Sequence, residues 1–457
     1  MKKVLILTLL FVFILSLGCL ANAATLPEGG VRAILNLNDN PIDFRLLNSI
    51  SFTNGISIPA DAIDSWDVVD GSVTAWITEE SVIGYSTERD LRYNLFVGSN
   101  EKIYAPANSK CYFAGLPIRS ISLNNFDTSN VTNMLRMFAG CNEIYTLSLT
   151  GFNTQNVTIM RAMFEDCVFL TDIYGTFDTR NVTDMGEMFL NCYFLRDSIN
   201  DFLSGFNTSK VTKMDYMFTR CAKLTHIDLS NFDMHNVTNM SYMFWGCYAL
   251  NTIDFGDDCN ASGVTTMMSM FNECSSLTEL DLSSVSTKYL TNIESMFEGC
   301  TNLKSLKLNA FGGVTINSAK KMFKDCINLE EIFIDLPEYD LPYSDSTPGE
   351  TTDMFKNCNK LKSIIIDENV YKNGVIPFWN TNSRLDDIQP TLYVKNSEAE
   401  TKFEANENYM NMFGADRIVV YNPEGQAEII DLMNNIIKDF RISVEDIRIM
   451  IQFYVHQ

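Results

Sequence analysis

The chain has 457 residues, 46 % of them hydrophobic and 20 % charged, and a formal net charge of −23. That composition describes a folded chain and excludes a disordered one. With 57 acidic against 34 basic residues, it argues against nucleic acid as a partner and against electrostatic adsorption to anionic lipid, both of which need clustered Lys and Arg.

Residues 1–23 read as a secretory signal peptide. "MKK" precedes the apolar run "VLILTLLFVFILSLG", and "ANA" ending at Ala23 supplies the small-residue cleavage site. A competing detail is "SLGC", Ser16 to Cys19, a partial lipobox that would make Cys19 a lipid attachment point instead. Either reading exports the chain to the medium or the cell surface. No later stretch is long and apolar enough to form a transmembrane segment. Residues 24–100 contain alternating runs such as "GSVTAWITEE", with Asp70-Gly71 as a hairpin turn, and are expected to form a β-rich N-terminal cap.

From residue 101 a repeat takes over. Its clearest copies are "VTNMLRMFAGC" ending at Cys141 and "VTNMSYMFWGC" ending at Cys247. The Phe of each "MF", "YF" in the first copy, falls at Phe113, Phe138, Phe164, Phe189, Phe218, Phe244, Phe271, Phe297, Phe323 and Phe355. Most successive differences are 25 to 27 residues, inside the roughly 20–29 residues of a leucine-rich repeat. In one unit, Leu224, Ile227 and Leu229 give L-x-x-L-x-L, a short strand with two side chains on one face. "SNFDMHN" is turn chemistry around Phe232. Val237, Met240, Met243, Phe244 and Cys247 then follow at helical spacing, with Thr238 as a candidate N-cap and Ser241 on the expected exposed side. The fold class expected is α/β: a leucine-rich-repeat solenoid of about nine to ten 25–27-residue coils over 101–367, its strands in one parallel sheet.

The recurrent cysteine could be a metal ligand, a disulfide partner, a nucleophile or a small apolar filler. There is no C-x-x-C, and the histidines are His226, His235 and His456, which is not a metal-ligand pattern. Eleven of the twelve cysteines remain once residues 1–23 are gone, an odd number that cannot pair completely. Leu116 takes the cysteine's place in the first coil, and Cys259 stands where other coils carry Phe232 and its equivalents. That exchange points to core packing.

Residues 368–422, with "PTLYVKNSEAETKF" and "ADRIVVYNP", are expected to be an α/β C-terminal cap of strand, helix and strand. Residues 423–457 show helical spacing from Ile429 to Phe440, and "SVED" at Ser443 reads as a capping box, so they are expected to be a helical tail.

The reiterated phrase in "NNFDTSNVTNMLRMFAGC" and "SNFDMHNVTNMSYMFWGC" resembles the BspA-like leucine-rich-repeat surface proteins over roughly residues 65–367. That resemblance implies a secreted or surface-displayed scaffold that binds proteins or adheres to host matrix or cell surfaces. It brings no active site and no assigned ligand-binding residues. The sequence itself shows no G-x-S-x-G, H-E-x-x-H, G-x-G-x-x-G or Walker motif. No catalytic, metal or cofactor-binding residues are therefore expected, and no cofactor. A structural or partner-binding component of the producing cell's own envelope is the alternative. A secreted hydrolase is a third reading, with Asp257-Asp258 as its carboxylate pair.

Overall fold

The computed structural model describes residues 24–36, 43–83, 89–309, 316–335, 353–366, 390–394, 404 and 418–420. Residues 1–23, with the expected signal peptide and Cys19, and the expected tail 423–457 lie outside them. So does most of 368–422.

The N-terminal part is a mixed sheet that runs into the repeats. Strands β1 (Leu47–Asn54), β2 (Asp64–Val69), β3 (Val73–Ile83) and β4 (Arg89–Ser99) lie in the order β2-β3-β4-β1. The first coil's Ser120–Ser122 then pairs parallel with β1. Asp70 and Gly71 both take positive φ at the β2–β3 turn (40° and 73°), and the Asp67 carboxylate accepts the Gly71 N–H at 2.8 Å. A short helix, α1 (Gly30–Asn36), is pinned to the first coil by the Val31 N–H on the Tyr112 carbonyl at 3.0 Å. Only glycine fits at Gly30, because a Cβ there would lie 2.2 Å from the Tyr112 oxygen. Phe52 of β1 packs on Phe113 and Phe126 of the first coil (6.2 and 4.6 Å between rings). The sheet and the coils therefore share one apolar core.

Every coil but one carries a short strand, and every strand pair between coils is parallel and in register. His226–Asp228, for instance, pairs with Thr252–Asp254. The strands do not form the single sheet expected. The insertion "RDSINDFLSG" folds as α2 (Ile199–Leu203), which stands where a strand would be, between Asp172–Tyr174 and His226–Asp228. Polar side chains satisfy the strand edge this leaves. The Asn200 amide donates to the His226 carbonyl at 3.2 Å and accepts the Asp228 N–H at 3.0 Å, while Asp197 accepts the Thr225 N–H at 2.8 Å. Toward the C-terminus six strands form one parallel sheet: Glu279–Leu282, Ser305–Asn309, Glu331–Asp335, Ser363–Ile366, Thr391–Val394 and Ile418–Val420. It runs on past residue 367.

The segment read as a helix is a column of turns, so the α part of the expected α/β class is corrected. In the coil from Met240 to Cys247, every second backbone N–H closes a tight turn on the carbonyl three residues back. Trp245 donates to Tyr242 and Cys247 to Phe244, both at 3.1 Å. The alternate N–H groups leave the coil: Tyr242 donates to Met268 (2.8 Å), Phe244 to Met270 (2.9 Å) and Gly246 to Asn272 (2.8 Å). Tyr242 and Gly246 adopt left-handed backbone (φ 60° and 69°), and non-glycine residues such as Arg136, Ala162, Glu187 and Ser295 do so at the position of Tyr242 in other coils. An isolated helix this short is marginal. The turn column instead gives half its donors to the neighbouring coil, so stacking itself satisfies the backbone.

The column explains the repeat phrase. Thr238 is no N-cap, since there is no helix to cap; its hydroxyl donates to the Thr212 carbonyl at 3.1 Å. Thr158, Thr183, Thr212, Thr265 and Thr291 do the same in their coils. The Thr of "F-D-T" is buried. Its equivalent Thr208 donates to the Asp233 carbonyl at 3.0 Å and accepts the Asp233 N–H at 2.7 Å. Asn156, Asn181 and Asn236, each just before the "VT" of its coil, spend their amides on carbonyls of the preceding coil, at 2.7 to 2.9 Å. Ser241, expected outside, is buried and bonded to the Thr266 hydroxyl at 2.9 Å, because the turn carries its side chain along the stack.

Inside, the ten phenylalanines of this position form a single file. Neighbouring rings lie 5.0 to 5.8 Å apart and within 16° of parallel. A second file holds Phe126, Phe152, Phe177, Phe206 and Phe232, and Cys259 continues it, buried against the Met234 sulfur at 3.7 Å. Phe244→Ala should destabilise the chain by roughly 3–5 kcal/mol, because it removes a buried ring stacked on both sides. Ser241→Ala should lose only about 1 kcal/mol, one side-chain hydrogen bond. Chemical denaturation of the two variants checks the ratio.

Candidate ligand-binding surface

Nine cysteines occupy one buried column at the corner between turn and strand, and they are free thiols. Each donates its S–H to the carbonyl of the file phenylalanine in the preceding coil. Cys141 reaches Phe113 at 3.0 Å, Cys247 reaches Phe218 at 3.1 Å and Cys358 reaches Phe323 at 2.9 Å. Burial pushes the Cys141, Cys247, Cys300 and Cys358 thiols up to about 12. A thiol so protonated and enclosed is neither a nucleophile nor a metal ligand. Leu116 fills the same place in the first coil. Among the described residues no group of three or more His, Cys, Asp or Glu is arranged to hold a metal ion. His226 contacts the Thr252 hydroxyl at 2.8 Å, His235 pairs with Asp233 and Asn236, and His456 lies outside the described residues. Asp257 and Asp258 are both exposed on a loop.

What the fold displays is its strand face and the corner beside it. Along each strand alternate side chains leave the core: Ile227 is buried while His226 and Asp228 face outward. At the corner, Tyr145, Phe169 and Phe194 from three successive coils stack into a rib, with centroids 5.7 and 5.5 Å apart. Tyr145 and Phe194 stay 52 % and 40 % exposed, and Tyr174 on the adjoining strand 56 %. Folding does not require aromatics here. The position of Phe169 and Phe194, two residues after the column cysteine, holds Lys223, Ser276 and Asn302 in other coils.

A further cluster lies toward the turns. Tyr216 stacks on Tyr242 at 4.6 Å, Trp245 meets Tyr242 edge-on at 5.8 Å, and the Arg220 guanidinium lies over Trp245 at 4.8 Å. Beside it Arg161 is held by three carboxylates: Asp215 (2.7 Å), Glu187 (2.6 Å) and Asp184 (3.2 Å). The bonds from Asp215 foremost, then Glu187, raise the Arg161 pKa and keep its charge fixed. The sequence signal for these clusters is only an aromatic shared by neighbouring coils, Phe169 with Phe194 and Tyr216 with Tyr242, at positions that are not aromatic in most other coils.

The repeat is matched by a family model described as "Mycoplasma protein of unknown function, DUF285", over residues 110–203, 172–275, 228–337 and 254–369. Together these matches run from 110 to 369, more than half of the 457 residues. The chain belongs to the DUF285 family. No curated protein matches it. Among solved structures it is similar to the TLR13 chain of a TLR13–ssRNA13 complex, at 14 % identity and a TM-score of 0.25, with 70 % of this chain and 53 % of that one covered. The chain thus spans about half of that protein's length. A second similar structure is a leucine-rich cell-surface protein of Faecalibacterium prausnitzii, at 13 % identity and a TM-score of 0.22, covering 83 % of this chain and 89 % of that one. The DUF285 segment coincides with the column of turns, cysteines and phenylalanines described above.

The cysteine column has a consequence for pH. Unfolded thiols ionise near pH 8.5–9, whereas the buried ones hold their protons up to about pH 12. The stability they contribute is complete below the unfolded value and is lost as pH rises from there through the folded one. Each thiol should remove about 1.4 kcal/mol per pH unit in that window. Alkaline unfolding should therefore begin near pH 9 and be unusually steep, and Cys247→Val should make it measurably shallower. Denaturation curves from pH 7 to 11 provide the check, and folded protein at pH 7 should resist alkylation until denatured.

Proposed function

We propose that the chain is an exported leucine-rich-repeat scaffold, of the BspA-like kind its sequence resembles, that binds protein ligands on the outside of its coils. In this reading residues 1–23 direct export and are removed. Residues 24–100 and 368–422 cap the coils of 101–367, and 423–457 form a helical appendage. Lipid attachment at Cys19 is the alternative means of retention at the cell surface.

The observation that supports ligand binding is the aromatic rib of exposed Tyr145, half-buried Phe169 and exposed Phe194, with Tyr174 beside it. Large aromatic side chains left at a surface and bordered by polar groups are what protein interfaces use as anchors. The coils show that polar residues serve equally well at that position, so packing does not account for the rib. Host matrix or host cell-surface proteins are the ligands proposed first, and a protein of the producing cell's own envelope second.

The purified chain and a Y145S/F169S/F194S variant are compared on immobilised matrix proteins and on the producing cell's envelope fraction. The expected result is saturable binding to one of the two surfaces, weakened about tenfold or more in the variant, as loss of clustered aromatic anchors does elsewhere. Equal binding by both proteins, with unchanged melting temperatures, would contradict the reading.

A further inference from the structure

The proposed function leaves the chemistry of the partner open, and the strand face next to the aromatic rib specifies it. Between Tyr145 and Asp254 this part of the chain carries Asp172, Asp197, Asp228 and Asp254, against Arg196, Lys223 and the outward-facing His226. Asp228 and Asp254 stand directly abreast in parallel register. Each has one oxygen taken by a backbone N–H, from Ser230 at 2.9 Å and Gly256 at 2.8 Å. Neither carboxylate is in an ion pair among the described residues. Like charges abreast on neighbouring strands destabilise a sheet, and a cation placed across them removes the penalty. Farther along the stack the chain supplies such a cation itself, where Lys307 meets Asp281 at 3.3 Å.

From this juxtaposition of a surface aromatic rib and carboxylates outside any ion pair, we propose that the outer face from Tyr145 to Asp254, its strands and α2 together, docks a lysine- and arginine-rich segment of a protein partner. Apolar and guanidinium groups of that segment lie on Tyr145, Phe194 and Tyr174, and its charges meet Asp172, Asp228 and Asp254. Arg220 over Trp245 shows the same guanidinium-on-ring contact within the chain. Hydrogen bonds favour the ionised form of two of these groups: the Ser198 hydroxyl lowers the pKa of Asp172, and the bonds from Ser230 lower that of Asp228. The net charge of −23 favours the encounter with a basic segment and disfavours an acidic one.

This inference rests on the scaffold reading and is tested apart from it. The probe is a fluorescein-labelled peptide of repeated Lys-Arg-Leu-Pro units, with a peptide of the same length carrying Glu for Lys and Arg as its counterpart. Both are titrated with the full chain and followed by anisotropy. The basic peptide should bind and the acidic one should not. Y145S/F169S/F194S and, separately, D228N/D254N should each weaken binding about tenfold, and added salt should weaken it further. Neutralising Asp64, the first residue of β2, and Asp61 in the turn before it should change it less than about twofold, because they lie off the face. Phe194→Tyr should retain binding, and melting temperatures of all variants confirm that they are folded. If D61N/D64N weakens binding as much as D228N/D254N, or the aromatic variant binds undiminished, the attraction is only that of a polyanion and the proposal fails. If the basic peptide does not bind while Y145S/F169S/F194S still loses its matrix or envelope ligand, the scaffold stands and the cationic partner falls.

Discussion

Everything in the repeat depends on backbone hydrogen bonds that leave one turn and end on the next coil. Tyr242, Phe244 and Gly246 donate to Met268, Met270 and Asn272, and the corresponding residues of other coils do likewise. These bonds force coils into register at the spacing of adjacent backbones, and that spacing sets the rest. Flat rings stack face to face at that spacing, which suits the phenylalanines. The corner beneath them takes a compact side chain, Leu116 in the first coil and elsewhere cysteine, whose S–H also donates to the Phe carbonyl of the preceding coil. Hydroxyl and amide groups at Thr238 and Asn236 then add side-chain bonds along the same axis.

The arrangement has a chemical consequence for the outside. A solenoid built from identical inward columns leaves its outward positions free to differ from coil to coil. Glu143, Phe169, Phe194, Lys223, Ser276 and Asn302 are successive or near-successive occupants of one such position. Function is read from those differences. The aromatic rib and the unpaired aspartates both sit on coils whose interiors are like their neighbours', so altering them should leave the fold in place.

Much of this is legible in the sequence. The period, the buried set Leu224, Ile227, Leu229, Met243, Phe244 and Cys247, and the exchange of cysteine with Leu116 all follow from pattern alone. The helix is not, and the reason is physical. Apolar residues at offsets of three, six, seven and ten fit a helix face and a run of tight turns equally well, and what separates them is where the alternate N–H groups go. That depends on a neighbouring coil which periodicity does not describe. Thr238 and Ser241 depart from expectation for the same cause. Helix α2 is hidden because its insertion looks like loop, and the rib because it breaks the repeat instead of following it.

Gly246→Ala decides most directly between turn column and helix. At φ 69°, with an added Cβ meeting the Arg220 side chain at 3.1 Å, alanine should destabilise the chain by about 1–2 kcal/mol. In the interior of a helix the same change would stabilise it by about 1 kcal/mol. Equilibrium denaturation of this single variant reads the sign: a loss of stability is the predicted result, and a gain would contradict the inter-coil hydrogen bonding on which the account stands.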